Sequence, residues 1–101
     1  MRMILDVTFP MEPFNTLVRQ KKAGQLLSRI LDELKPEAAY FSEHNGKRGA
    51  ILIIDLPGPS AIPAASEPFF LQLNAECRFR IVMTPDDLRQ AGLDGLGTKW
   101  K

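Results

Sequence analysis

One histidine, one cysteine and two arginines at alternate positions carry most of the chemistry available to this 101-residue chain. His44 is its only side chain whose ordinary pKa lies near neutrality, which makes it the natural proton carrier for acid/base work at pH 7. It also stands directly before Asn45-Gly46, where an exposed histidine requires no function, so both readings stay open. Arg78 and Arg80 lie two residues apart, on one face if their segment is a strand, and can grip a carboxylate through paired guanidinium hydrogen bonds. Their alternative role is to pair with Asp6 and Glu76 or with a partner subunit. Tyr40 and Ser42 alternate with His44 and can line the same site, although a tyrosine on a sheet face also serves plain packing. Asp6 and Thr8 complete the candidate ligand-binding set of Arg78, Arg80, Tyr40, Ser42, Asp6 and Thr8, with His44 as the candidate catalytic group.

Other chemistries lack their residues. Cys77, the single cysteine, cannot form an internal disulfide, and one cysteine with one histidine falls short of a structural zinc set. It is expected to pack as a small hydrophobe rather than act as a nucleophile. Glu43 and Glu67 form no carboxylate pair, and Phe69 and Phe70 read as core or interface. The sequence holds no phosphate-cradling glycine loop, nucleophile elbow or metal-ligand cluster, and no cofactor or metal is expected.

Thirteen Lys and Arg against twelve Asp and Glu leave a net charge of +1, without a run of like charge that would track a phosphate backbone. Arg19, Lys21, Lys22, the Lys47-Arg48 pair, Lys99 and Lys101 read as solvated surface, so nucleic acid is not expected as a partner. Asp6 interrupts the apolar stretch near the start before it reaches the length of a signal-peptide core or membrane span, so a cytoplasmic protein without membrane association is expected. With 45% hydrophobic and 25% charged residues, the chain suits one soluble domain with a modest core.

The elements that must position these residues are legible as periods. Met3 to Phe9 alternates as a half-buried strand ended by Pro10. Phe14, Leu17 and Val18, then Leu27, Ile30, Leu31 and Leu34, recur at helical spacing with Asn15 as the expected cap; Arg19 to Gly24 is either a break or an excursion, and Lys35-Pro36 stops the helix. Ala38 to His44 and Gly49 to Leu56 flank Asn45-Gly46-Lys47-Arg48, a hairpin signal. Ser60 is expected to cap a helix with Pro63 in its first turn. Pro68 leaves the Pro68 to Asn74 course open, since the helix can stop near Glu67 or restart with Ser66 as cap. Glu76 to Val82 alternates as a fourth strand, and Thr84-Pro85-Asp86-Asp87 starts a short helix closed by Gly92.

The order βαββαβ predicts an α+β, ferredoxin-like sandwich: a four-stranded antiparallel sheet in the order 4-1-3-2, both main helices on one face, and a short C-terminal helix. Residues 1–92 form this domain, and 93–101 a tail that is mobile or docked on a partner. Asp6 and Thr8 should then neighbour Arg78 and Arg80, Ala39 and Phe41 should face the helices, and Tyr40, Ser42 and His44 should share the open face. The third strand should be apolar on both sides. An open face that mixes Ile, Leu and Tyr with polar groups needs a cover, and a second copy packed sheet on sheet supplies one while enclosing a cavity.

Ile53-Ile54-Asp55 leading to Ser60, Pro68-Phe69-Phe70 before the last strand, and Val82-Met83-Thr84-Pro85 after it are similar to stretches of muconolactone isomerases. In element order nearly the whole chain resembles the dimeric α/β-barrel superfamily, to which those isomerases and cofactor-independent monooxygenases belong. Small bacterial proteins of unassigned function match equally well. The resemblance implies a homodimeric barrel. The Pro68 to Glu76 stretch is longer than in the isomerase pattern, and no catalytic residue is carried across. Three functions follow: a homodimer binding a small polar or acidic molecule between facing sheets; a cofactor-independent isomerase or monooxygenase acting on a small acid or phenol; and a protein docking platform.

Overall fold

Strict alternation makes the first strand a two-faced element. In β1 (Arg2–Phe9), Met3, Leu5, Val7 and Phe9 are buried, while Arg2, Ile4, Asp6 and Thr8 stay partly exposed on the other side. The computed structural model describes residues 1–101. Three further strands, β2 (Ala38–His44), β3 (Lys47–Asp55) and β4 (Glu76–Ile81), complete one antiparallel sheet ordered β2-β3-β1-β4. Three helices cover the buried face: α1 (Met11–Arg19), α2 (Ala23–Leu34) and α3 (Ile62–Leu73). They contribute Phe14, Ala23, Ile30, Ala65, Phe69 and Leu73 to a core shared with β1 and with Ala50, Leu52 and Ile54 of β3. The Phe9 ring meets Phe14 edge-on, with centroids 5.2 Å apart, and Phe69 at 6.1 Å. The architecture is α+β, consistent with a ferredoxin-like sandwich.

The segment from Arg19 to Gly24 is a break, made by Lys21 rather than by glycine. Lys21 takes the left-handed conformation (φ 60°), its N–H donates to the Val18 carbonyl at 3.0 Å, and the Lys22 N–H donates to the Leu17 carbonyl at 2.9 Å. This double bond pattern closes a helix C-terminus and satisfies carbonyls the helix leaves free. Asn15 does not cap α1. Glu12 does so from its extended backbone position, its carboxylate accepting from the Thr16 N–H at 3.1 Å and hydroxyl at 2.6 Å. Asn15, inside the helix, instead accepts from the Arg48 guanidinium at 2.8 Å, and that guanidinium lies 4.5 Å above the Phe14 ring.

The hairpin turn is tighter than the four-residue expectation. Asn45 (φ 51°) and Gly46 (φ 83°) alone form it, both left-handed as a two-residue turn requires, and Lys47 and Arg48 already belong to β3. Ser60 caps nothing: it lies in a 3-10 turn, Pro59–Ala61, and α3 begins after it with Pro63 in the first turn. Ser66 starts no new helix either, because α3 runs unbroken through Pro68, and the Ser66 hydroxyl donates to the Ile62 carbonyl at 3.2 Å. Pro68 has no N–H for the Ala64 carbonyl, but both residues line a solvent-open groove of about 360 Å³ between α2 and α3.

After β4 the chain leaves the body. Thr84 caps α4 (Pro85–Gln90) in a reciprocal arrangement with Asp87, Gly92 (φ 71°) closes it, and α5 (Leu93–Lys99) follows. Most of the expected tail is therefore helical. Neither α4 nor α5 packs on the body more than marginally, and the molecule measures 60 × 28 × 19 Å. Its radius of gyration is 17.2 Å, where a compact chain of this length has about 13 Å. The projecting part thus begins at α4, earlier than residue 93. No helix is long and apolar enough to cross a membrane.

Candidate functional site

Strand register puts every candidate residue on the sheet face away from the helices. Pairing across all four strands yields three rows on that face: Ser42, Gly49, Thr8 and Glu76; Tyr40, Ile51, Asp6 and Arg78; Ala38, Ile53, Ile4 and Arg80. His44 stands outside them, opposite Lys47 beside the turn. Asp6 faces Arg78 as anticipated, but Thr8 faces Glu76, and Arg80 faces Ile4.

The register and the ion pairs also give the neighbours of the arginines within one chain. The ion pairs of the body join Arg2 to Glu37, Arg19 to Glu12 and the terminal amine to Asp55; Arg78 and Arg80 take part in none. Arg2, at the far end of the open face, is already committed to the Glu37 carboxylate at 3.0 Å, which raises its pKa further. Two guanidinium groups on β4 therefore remain without an ion pair, Arg78 in the row of Asp6, Ile51 and Tyr40, and Arg80 in the row of Ile4, Ile53 and Ala38. Ile51 and Ile53 make β3 apolar on this side too, while Ala50, Leu52 and Ile54 fill its buried side. Tyr40 is 63% exposed.

His44 is not brought to the arginines. Three strand spacings and two rows separate it from Arg78, about 20 Å within one chain. Cys77 points to the opposite face, in register with Val7. Half-burial pushes its thiol up to about 11, so it carries almost no thiolate near pH 7. No group of three His, Cys, Asp or Glu side chains is arranged to hold a metal ion.

On the helix side, Ala39 packs against the core, but Phe41 and Ile81 lie on the two edge strands beyond the helix layer and stay exposed. The main concavities lie away from the open face: the groove between α2 and α3, a wide-open hollow of about 690 Å³ along α2 beside Gln25 and Asp32, a cleft of about 440 Å³ between α4 and α5, and a hollow beside Arg48. Sequence reasoning found the polar members of the face and missed two features: the Arg48 contact with Asn15 and Phe14, and the separation of α4 and α5 from the body. Leu93, Leu96 and Trp100, spaced at helical intervals, with Leu88 before Gly92, were the available signal for the second.

The class defined is an α+β domain with helices on one sheet face and a mixed apolar and basic surface on the other. No known family model matches the chain, and no curated protein matches it.

Proposed function

We propose that the chain is a homodimeric binding protein, in which two open sheet faces meet and hold a small organic acid at Arg78 and Arg80. The observation that carries this reading is the composition of the uncovered face: two arginines that form no ion pair, Arg78 opposite Asp6 and Arg80 opposite Ile4, on a face that also carries Ile51, Ile53 and, on the far edge strand, Tyr40. An apolar centre favours coverage by a second sheet, and removal from water strengthens guanidinium-to-carboxylate bonds. A single flat face offers no enclosure; a facing copy supplies the second wall, in the manner of the dimeric α/β barrels that the chain resembles. The isomerase or monooxygenase alternative needs His44 near the anion clamp, and the spacing within one chain does not favour it.

The test is thermal stabilisation by a series of carboxylates, from acetate through benzoate and phthalate. The wild-type chain should gain several degrees with its preferred acid, and Arg78→Leu/Arg80→Leu should lose that gain while staying dimeric. An equal gain in the double variant would remove the arginines from the site.

A further inference from the structure

Two carboxylates share the open face with the arginines. Asp6 stands directly opposite Arg78, and Glu76 precedes both arginines on β4, in register with Thr8. Directly opposed side chains have Cβ atoms about 5 Å apart, yet Asp6 and Arg78 form no ion pair, and neither Glu76 nor Arg80 forms one. Four charged groups on the β1 and β4 side of this face are therefore unpaired within the chain.

Their arrangement has a direction. Along β4, Glu76, Arg78 and Arg80 follow one another in steps of two residues, about 6.8 Å each. On β1, Asp6 joins the middle row, and the uncharged Ile4 faces Arg80. Negative charge thus lies toward Thr8 and positive charge toward Ile4. Two arginines against two carboxylates leave this patch neutral. When a face is closed off from water, each unbalanced charge costs free energy. A plain carboxylate at the arginines would add a negative charge near Asp6, and a plain amine would add a positive one near Arg78. A molecule that carries both groups keeps the balance and gives each sign a partner.

Spacing sets the size of its head group. Because Asp6 and Arg78 are cross-strand neighbours, the two ligand groups need to lie only a few ångströms apart, as an amine and a carboxylate on one carbon do. Next to Asp6 in its row is Ile51, and the following row holds Ile4 and Ile53. The remainder of the ligand therefore meets hydrocarbon.

We infer that the ligand is an α-amino acid with an apolar side chain: its carboxylate bonds to Arg78 and Arg80, its ammonium group to Asp6 on the side of Glu76, and its side chain rests on Ile4, Ile51 and Ile53. This rests on the acid-binding homodimer proposed above and specifies what it holds.

Calorimetric titration at pH 7 should compare leucine with 4-methylpentanoate, which lacks the amine, and with 3-methylbutylamine, which lacks the carboxylate; phenylalanine and 3-phenylpropanoate form a second pair. The wild-type chain should bind an amino acid about 10-fold or more tightly than its deaminated partner, the effect of one charge-assisted hydrogen bond. Asp6→Asn, which keeps the shape of the side chain, should lose that preference while its affinity for the deaminated acid and its sedimentation as a dimer stay unchanged. Equal binding of amino acid and deaminated acid by the wild type, or a preference that survives in Asp6→Asn, overturns the assignment and leaves the acid site standing. Loss of the dimer in Asp6→Asn without ligand makes Asp6 a pairing group between subunits and also overturns it. If neither amino acid binds at millimolar concentration the assignment fails, and the acid reading fails with it only where the carboxylate series gives no thermal stabilisation either.

Discussion

Lys21, Lys35, Asn45 and Asn74 are the four non-glycine residues with positive φ, and each marks where a helix or strand ends. Asn tolerates this region, so Asn45 and Asn74 have a local rationale; Lys35 adopts it as the C-cap of α2, its N–H donating to the Leu31 carbonyl at 2.8 Å. Lys21 has none beyond the turn it closes, and its Cβ crowds the following carbonyl there. Lys21→Gly should raise stability by about 0.5 to 1 kcal/mol, after allowing for the greater freedom of glycine in the unfolded chain, as read by urea denaturation. A loss of stability would show that the Lys21 side chain makes a contact worth more than the strain. The site residues show the same division between what spacing fixes and what it leaves open. Alternation placed Tyr40, Ser42, Asp6, Thr8, Arg78 and Arg80 on one face, because the period of a strand is two. It did not fix the stagger between strands, so Thr8 meets Glu76 rather than an arginine.

At the level of elements, all four strands and most helices were readable from period and punctuation. The differences arose where several capping groups competed. Asn15 had the preferred chemistry for a cap, but Glu12 occupies the extended position from which a side chain reaches the first turn of α1. Pro68 signalled a helix end, yet α3 continues because the carbonyl it orphans belongs to Ala64, on the groove side of the helix. In the projecting part, signal and structure agree: Thr84 and Asp87 cap α4 reciprocally. Hydrogen bonds from the Thr84 backbone N–H and then its side chain hold the Asp87 carboxyl below the ordinary 3.8. A lowered folded-state pKa means that this cap stabilises α4 above the ordinary carboxylate range and is lost as pH falls through the depressed value. Local α4 helicity, followed through NMR shifts at Leu88 and Arg89, should therefore be retained through the ordinary carboxylate range and lost only at lower pH, as Asp87 takes up its proton. Thr84→Ala should weaken α4 already at pH 7 and leave the melting of the body unchanged. A coupled loss of body stability would mean that α4 is packed on the core.

For the whole molecule, only 17 of 101 residues are buried, so one sheet face and one helical arm lie outside a small core. Composition and order of elements foretold the sandwich and its uncovered face. They did not foretell the elongated shape, because the direction of an arm depends on contacts it fails to make, and no local period records those. On the proposed reading, a second copy covers the open sheet face. Native mass spectrometry in the presence of the stabilising carboxylate tests this account most directly. It predicts a species at twice the 11.3 kDa chain mass that carries bound acid in the wild type and none in Arg78→Leu/Arg80→Leu. A bare monomer at every concentration would contradict it and turn the open face into a docking surface for a different protein.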